Sequence, residues 1–397
     1  MKIRIFNLAV LAFTVLTILT SCNKTPDVTP QFQRGGNSLV LAANGNIVIA
    51  GFNTSVKGYE ATLVMTTNTN SDSIVWAATY GGSSASTFYS VKKSNQGGFI
   101  ATGFSNRSSA NSPAMLVVIT DAAGKMVKSK TYGGSALTQG FNVIPNADSG
   151  YLVAGVIQKT SNSDHDIYLV RINDSGDTLW TKSLGANRID QYDTVNDAAY
   201  GVIAAPGGGY FLTGSLNGYS QYGGKVFLMK VSAKGDSLWT KTYTTGIGYS
   251  LTLTHQNGVI DGIAISGSLQ EGSSQDIFLI KTDLDGKRLW SKTFGGSGME
   301  NGASMVETSD GGFAIAGTTN SKGFGNQDVY LIHTNSLGES PWEKTYGAAG
   351  DDQGFGLVEM PNNGGYCITG LSNSGGSFIY LSRTSSDGTK IWEKYIK

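Results

Sequence analysis

The chain repeats itself about every 50 residues, and this repeat constrains its fold more than any other feature. The clearest marker is a short segment of the form Trp-x-Lys-Thr-Tyr, seen most plainly at 342–346. The first position of this segment is occupied, in chain order, by Trp76, Lys128, Trp180, Trp239, Trp290, Trp342 and Trp392. The steps between these positions are 52, 52, 59, 51, 52 and 50 residues. Seven copies at this period predict an architecture of stacked or radially arranged units.

Each copy has the pattern of four short β-strands. In the sixth copy, for example, the strand-like segments are 304–308, 313–317, 328–332 and 342–346, separated by glycine-rich or polar turns. No stretch shows a sustained helical period. Four strands in each of seven copies predict an all-β fold, a seven-bladed β-propeller with four antiparallel strands per blade, over residues 37–397. A linear β-solenoid is the alternative, although its coils are usually shorter than 50 residues.

The recurring motifs also resemble a known family. The motifs are Gly-Gly-Phe-x-x-x-Gly, Gln-Asp-Val-Tyr-Leu-Ile and Trp-x-Lys-Thr-Tyr-Gly-Gly. They are similar to the seven-bladed β-propeller repeats of bacterial surface lipoproteins, over about residues 37–397. The resemblance implies the fold but no particular function, since propellers serve many roles. Lys128, which stands where the other copies carry tryptophan, departs from the pattern and puts the packing of the second blade in question.

The amino terminus has the features of a lipoprotein signal peptide. Lys2 and Arg4 precede an apolar run from Leu8 to Leu19, which is too short to span a hydrocarbon core that needs roughly 20 apolar residues. The run closes with 19–22, Leu-Thr-Ser-Cys, which resembles the site cut by the lipoprotein signal peptidase. We therefore expect residues 1–21 to be removed and Cys22 to become the lipid-modified first residue.

A lipidated Cys22 would determine where the protein sits. In the lipoproteins that this segment resembles, the cysteine carries several acyl chains, palmitate among them, which together anchor a protein firmly to a membrane. Residues 22–36 would form a flexible tether. In the lipoproteins that this segment resembles, a residue other than aspartate after the cysteine favours sorting to the outer membrane, so Asn23 implies that location, with either a periplasmic or a surface-exposed position.

Composition argues against several function classes. Charged residues make up only 15% of the chain, the formal net charge is zero and the pI is near 6.8, so we expect no nucleic-acid partner. Because Cys22 carries lipid, Cys367 has no disulfide partner and is predicted to be a buried structural thiol. The three histidines occupy unlike positions in different copies, so no metal set is visible. We expect no cofactor and a monomeric protein.

Three recurring motifs have structural interpretations that compete with functional ones. The lysines of the Trp-x-Lys segments are predicted to protect an outer strand against pairing between molecules, rather than to form a basic ring; they are Lys130, Lys182, Lys241, Lys292, Lys344 and Lys394. Turns such as 283–286 lack the ligand series of a calcium loop and are interpreted as hairpin turns with a glycine at positive φ. Asp166, Asp276 and Asp328 each open a third strand, where they either cap backbone amides or bind a ligand.

One irregularity suggests a binding site. The step of 59 residues before the fourth copy places extra residues at 186–197, on the same predicted face as the tyrosine-rich loop 217–224. Acidic and aromatic side chains that converge on one face are typical of carbohydrate, peptide or cation sites. The candidate ligand-binding residues are Asp190, Tyr192, Asp193, Asp197, Tyr219 and Tyr222.

These observations leave two hypotheses for function. The first is a non-enzymatic binding or scaffolding propeller, anchored to the membrane through Cys22, whose partner is an envelope protein or a glycan. The alternative is a carbohydrate-active enzyme, a glycosidase or lyase, that uses Asp190, Asp193 and Asp197 as its carboxylates. The first is favoured because no catalytic set is apparent in the sequence.

Overall fold

The computed structural model describes residues 34–397 except for short gaps at 56–57, 70–72, 82–84, 107–112, 160–163, 186–195, 218–223 and 272–273. The described residues belong to one compact unit, Phe32–Lys397. Across these residues the chain forms 27 strands and no helix. It follows that no helix within the described part is long and apolar enough to cross a membrane. The all-β prediction is confirmed.

The strands form six antiparallel sheets, and in each sheet neighbours in sequence are neighbours in space. The first two sheets contain β1 (Arg34–Leu41), β2 (Ile47–Ser55), β3 (Gly58–Thr66) and β4 (Ile74–Tyr80), then β5 (Ser86–Lys93), β6 (Phe99–Asn106), β7 (Pro113–Thr120) and β8 (Met126–Tyr132). The third contains β9 (Leu137–Pro145), β10 (Tyr151–Gln158), β11 (His165–Ile172) and β12 (Thr178–Leu184).

The fourth sheet has seven strands: β13 (Ala198–Ala204), β14 (Tyr210–Leu216), β15 (Lys225–Val231), β16 (Ser237–Gln256), β17 (Val259–Glu271), β18 (Ser274–Thr282) and β19 (Arg288–Phe294). The last two sheets contain β20 (Glu300–Glu307), β21 (Phe313–Thr319), β22 (Asp328–Thr334) and β23 (Trp342–Tyr346), then β24 (Asp352–Glu359), β25 (Tyr366–Ser372), β26 (Phe378–Thr384) and β27 (Lys390–Ile396).

The seven-stranded sheet is two repeat units joined by one long strand. β16 pairs with β15 as far as Thr245 and with β17 from Gly246 onward. Its first part, 237–245, contains Trp239 and corresponds to the last strand of the fourth sequence repeat. Its second part, 246–256, corresponds to the first strand of the fifth repeat.

The first strand of each repeat unit packs against the first strand of the next. We call these the inner strands; they are β1, β5, β9, β13, the second part of β16, β20 and β24. β1 also contacts β24 and β25, so the described inner strands pack in cyclic order. A linear solenoid of these units would leave its two ends apart.

The last strand of each unit, which we call the outer strand, holds its unit to the next. The hydroxyl of Tyr346 on β23 donates to the carbonyl oxygen of Gly388, 2.6 Å away in the turn before β27. Gly388 has φ of 77°, and a Cβ there would lie 2.8 Å from the ring of Trp342. The turn therefore needs glycine both for its backbone conformation and for the approach of the tryptophan. The tryptophan and tyrosine of the repeat are thus inter-unit contacts.

The same hydrogen bond recurs at three other junctions. Tyr80 donates to Gly124, Tyr132 to Gly176 and Tyr243 to Gly286, at 2.6, 2.7 and 2.8 Å. Where Lys128 replaces tryptophan, Lys130 Nζ also donates to the Gly176 oxygen at 3.2 Å. The second unit therefore keeps its junction without the tryptophan.

The junction between the last unit and the first differs from the others. Trp392 is only 7% exposed and packs in a cluster with Leu39, Ile49 and Val64 of the first sheet. Lys394 Nζ donates to the carbonyl oxygen of Thr67 at 3.4 Å. This contact closes the cyclic series of units, and it buries more of its tryptophan than the other junctions do.

The recurring motifs take the places that their structural interpretations require. The repeat lysines lie on the outer strands, but Lys394 is only 3% exposed and contacts the first unit, so protection against pairing between molecules stays a prediction for the others. In the 283–286 turn, Gly286 has φ of 79° and Asp283 Oδ1 accepts the N–H groups of Asp285 and Lys287 at 3.0 and 2.8 Å. The aspartate of that turn caps its own backbone.

Cys367 is buried, as predicted. The side chain on β25 has no exposed surface and packs with Ile47, Ile379 and Leu381. Burial raises the pKa of the thiol to about 12. The thiolate is therefore scarce at neutral pH, which fits a structural role.

Candidate functional site

Most of the residues predicted to form the loop site fall outside the described residues. These are Asp190, Tyr192, Asp193, Tyr219 and Tyr222, together with the predicted lipidation site Cys22. Their roles therefore stay predictions. Asp197 is the member of the set that the structure describes.

Asp197 connects the two loops that the sequence placed together. It immediately precedes β13, and its Oδ1 accepts the N–H of Asn217, immediately after β14, at 2.9 Å. Its own N–H donates to the His165 carbonyl oxygen of the preceding sheet at 2.8 Å. The side chain is fully buried. Asp197 thus fixes the ends of both loops next to each other, and ligand contact by this carboxylate stays a prediction.

A second acidic region lies at the equivalent end of the last two sheets. Asp328 and Asp352 begin β22 and β24, and both are almost entirely buried. Asp328 Oδ2 accepts the N–H of Gly325 at 3.0 Å, and Asp352 Oδ2 accepts that of Ala348 at 2.7 Å. The other oxygen of each carboxyl has no hydrogen-bond partner among the described residues. Burial, with the nearby charges of Asp352 and Asp351, raises the pKa of Asp328.

Two of the three aspartates that open third strands are used differently, and the role of Asp276 stays a prediction. Asp328 caps a backbone amide, as one of the two interpretations predicted. Asp166 instead accepts from Ser183 Oγ at 2.8 Å and from Lys159 Nζ at 3.3 Å.

Within the described part of the chain, no three His, Cys, Asp or Glu side chains are placed to hold a metal ion.

The inner strands carry a candidate site that the sequence analysis missed. Each inner strand has a β-bulge at the same register, where one extra residue stands opposite the second strand of its unit. The bulged residues are Asn37, Tyr89, Phe141, Tyr200, Tyr249, Ala303 and Phe355. In sequence each bulge lies between a small or apolar residue and Ser, Asn or Gly. This residue pattern can be recognised only once the position of the bulge is known.

The bulges expose backbone groups that neighbouring units then use. The N–H of Val91, two residues after the Tyr89 bulge, donates to Ser38 Oγ of the first unit at 3.3 Å. Asn37 Nδ2 donates to the Phe88 carbonyl oxygen at 2.7 Å. The N–H of Met305 likewise donates to Ser250 Oγ at 3.2 Å. Serines that follow three of the bulges, Ser38, Ser90 and Ser250, therefore link inner strands, whereas the bulged residue itself differs from unit to unit.

Four of the bulged side chains form a continuous aromatic arc. The ring centroids are 5.4 Å apart for Tyr89 and Phe141, 4.8 Å for Phe141 and Tyr200, and 5.5 Å for Tyr200 and Tyr249. These separations are typical of aromatic pairs in contact. Burial raises the pKa of Tyr89 and Tyr249, so both phenols stay protonated at neutral pH. The arc spans inner strands of four consecutive units.

Lys92 adds a positive charge to one of the inner strands that carry the arc. It lies on β5, three residues after Tyr89, and is half-buried. At the corresponding positions the other inner strands carry uncharged residues, namely Val40, Ile144, Ile203, Thr252, Val306 and Val358. Burial lowers the pKa of Lys92 because the charged form loses hydration. Among the described residues this ammonium group has no ion-pair or hydrogen-bond partner.

Comparison with known proteins supports the fold but gives no family. No protein-family model matches the chain. The regulatory protein FlaEY of Caulobacter vibrioides is 27% identical over 191 residues, which cover 42% of this chain. The chain spans about a fifth of the length of that relative.

Solved structures with a similar fold are distant in sequence. The periplasmic gluconolactonase PpgL of Pseudomonas aeruginosa has a TM-score of 0.56 at 10% identity, with 92% of this chain and 96% of that chain covered. A Lactobacillus plantarum protein has a TM-score of 0.54 at 13% identity, covering 92% and 96%. Sqt1 of Chaetomium thermophilum, bound to the N-terminus of ribosomal protein L10, has 0.53 at 12%, covering 92% and 87%. The chain is therefore similar to β-propeller-like proteins.

Proposed function

We propose that this chain is a seven-bladed β-propeller lipoprotein of the bacterial envelope, which binds an envelope protein or a glycan without chemical conversion. Cyclic packing of the inner strands, one for each of seven sequence repeats, supports the seven blades. The signal-like segment that ends at Cys22 supports the lipid anchor in the outer membrane. The tether 22–36 then lets the propeller reach a partner in the periplasm or at the surface.

The hydrogen bond between Asn217 and Asp197 carries the binding role. It holds the ends of the 186–197 connection and the 217–224 loop side by side. Acidic and tyrosine side chains on two adjacent loops provide the donors, acceptors and aromatic faces that a glycan or a polar peptide requires. The buried position of Asp197 favours binding over the glycosidase or lyase alternative, because a catalytic carboxylate must reach the substrate.

The anchor and the binding role need separate tests. Radioactive palmitate should label the wild-type protein in cells and not the Cys22→Ser variant. Equal labelling of both would refute the anchor. The mature chain with Cys22→Ser should show saturable binding in glycan arrays or in pull-downs from envelope extracts. Blank results in both assays would refute the binding role.

The loops are tested by substitution. Replacing Tyr192, Tyr219 and Tyr222 together with alanine should abolish the binding found in those assays. An exposed-turn variant, Asp285→Asn, is the control and should bind normally. Polysaccharide cleavage that is lost on replacing Asp190, Asp193 and Asp197 would instead support the enzyme alternative.

A further inference from the structure

The aromatic arc and Lys92 have the chemistry of a ligand site that is separate from the loops. Four rings line consecutive inner strands at one register, with centroid separations of 4.8 to 5.5 Å. Across the remaining inner strands the same register carries Ala303, Phe355 and Asn37. The continuous row of contacting rings therefore covers four consecutive units of the seven.

Three donors on the strands of this arc have no partner among the described residues. Two are the hydroxyls of Tyr89 and Tyr249, and both residues are only partly buried. The third is Lys92 Nζ. The other six inner strands carry Thr252 or an aliphatic residue at the position of Lys92, so the fold needs no charge there. Partly exposed donors that have no protein acceptor are available to a bound group that supplies acceptors.

The three features together define the ligand. Aromatic rings in a row contact the C–H faces of sugar rings, and phenolic hydroxyls and an ammonium donate to hydroxyl and carboxylate oxygens. A single uncompensated cation favours a ligand with a negative charge. We propose that Tyr89, Lys92, Phe141, Tyr200 and Tyr249 form a binding site for an acidic saccharide, with Lys92 at its carboxylate. This inference rests on the proposed binding function but not on the 186–197 and 217–224 loops.

A matched pair of sugars tests the site. Trigalacturonate and galactotriose with the same linkage differ only in the carboxylate at C6, so isothermal titration of the mature Cys22→Ser chain isolates the charge. We expect trigalacturonate to bind about tenfold more tightly than galactotriose. Equal affinities, or no binding of either sugar, would overturn the proposal.

Three variants locate the binding. Lys92→Val, which copies the other inner strands, should weaken trigalacturonate binding about tenfold and leave galactotriose within about twofold. Tyr249→Ala, which copies Ala303, should weaken both sugars. Lys93→Val is the matched control because Lys93 is exposed on the same strand, and it should bind like the wild type. An unchanged preference in Lys92→Val would overturn the proposal.

Failure of this site differs from failure of the proposed function. Thermal unfolding of Lys92→Val should match that of the wild type, so its loss of affinity would not reflect unfolding. Array binding that depends on the loop tyrosines but not on Lys92 would overturn the inner site and keep the proposed function. Absence of any ligand in arrays and pull-downs would remove the proposed function itself.

Discussion

The outer and inner strands of the repeat units differ in what recurs. On the outer strands tryptophan and tyrosine return in most copies, and the structure places them against a glycine turn of the next unit. On the inner strands the bulge recurs, but its side chain changes from Asn37 to Tyr89 to Ala303. Recurrent residues therefore hold units together, whereas the variable residue at a recurrent position is free to acquire a binding role.

The largest expected effect comes from breaking the closing junction. Trp392→Ala removes a 7%-exposed indole between the last unit and the first. We expect a loss of about 3–5 kcal/mol in the free energy of unfolding, measured by denaturant titration. Lys128→Ala, at the same repeat position, should cost less than about 0.5 kcal/mol. Similar losses at both positions would remove the distinction between the closing junction and the others.

A smaller effect is expected from the outer-strand hydroxyls. Tyr346→Phe leaves the Gly388 carbonyl without its 2.6 Å donor and should destabilise the protein by about 1 kcal/mol. Phe294 occupies the equivalent position on β19, so Phe294→Tyr should stabilise the protein by supplying a donor for the turn at Gly338. Thermal melts of both variants check the signs. A stabilising Tyr346→Phe would contradict the assigned role of the hydroxyl.

The acidic strand ends offer a test with pH. The folded-state pKa of Asp328 is raised, so its contribution to stability is present at low pH and lost as pH rises through that pKa. Asp328→Asn keeps an oxygen acceptor for Gly325 and removes repulsion with Asp352. We expect this variant to be about 1 kcal/mol more stable than the wild type at pH 7. Near pH 4 we expect the difference in the free energy of unfolding between the two proteins to be smaller.

The control for this substitution is Asp285→Asn in an exposed turn, which should change stability little at either pH. Denaturant titrations at pH 4 and pH 7 make the comparison. An Asp328→Asn variant that is less stable than the wild type at pH 7 would show that the negative charge is needed, as it would be beside a cation.

The fold could be predicted from sequence because its determinants repeat. A residue pattern that recurs seven times averages out local exceptions such as Lys128, and short apolar segments separated by glycine-rich or polar turns predict the strands. The long β16 was not foreseen, since no turn residue is needed where one strand serves two units. That continuity is a property of the backbone path rather than of any single residue.

The candidate site was predictable only in part. The insertion before Asp197 is visible in the sequence as the repeat step of 59 residues. The hydrogen bond between Asn217 and Asp197 shows that the 186–197 connection and the 217–224 loop adjoin at the same end of the fourth sheet. The inner arc was missed because Tyr89, Phe141 and Tyr249 look like ordinary core aromatics in a strand. Their convergence depends on a bulge in each strand and on packing between the inner strands of consecutive units, neither of which spacing along the chain reveals.

The division between outer and inner strands is tested most directly by measuring two variants in the same two assays. Tyr346→Phe and Lys92→Val are each examined for the free energy of unfolding and for the dissociation constant of trigalacturonate. We predict that Tyr346→Phe loses stability and keeps its affinity, whereas Lys92→Val keeps its stability and loses affinity. If Lys92→Val instead lost stability and retained its affinity, the inner strands would be structural alone and the account would be contradicted.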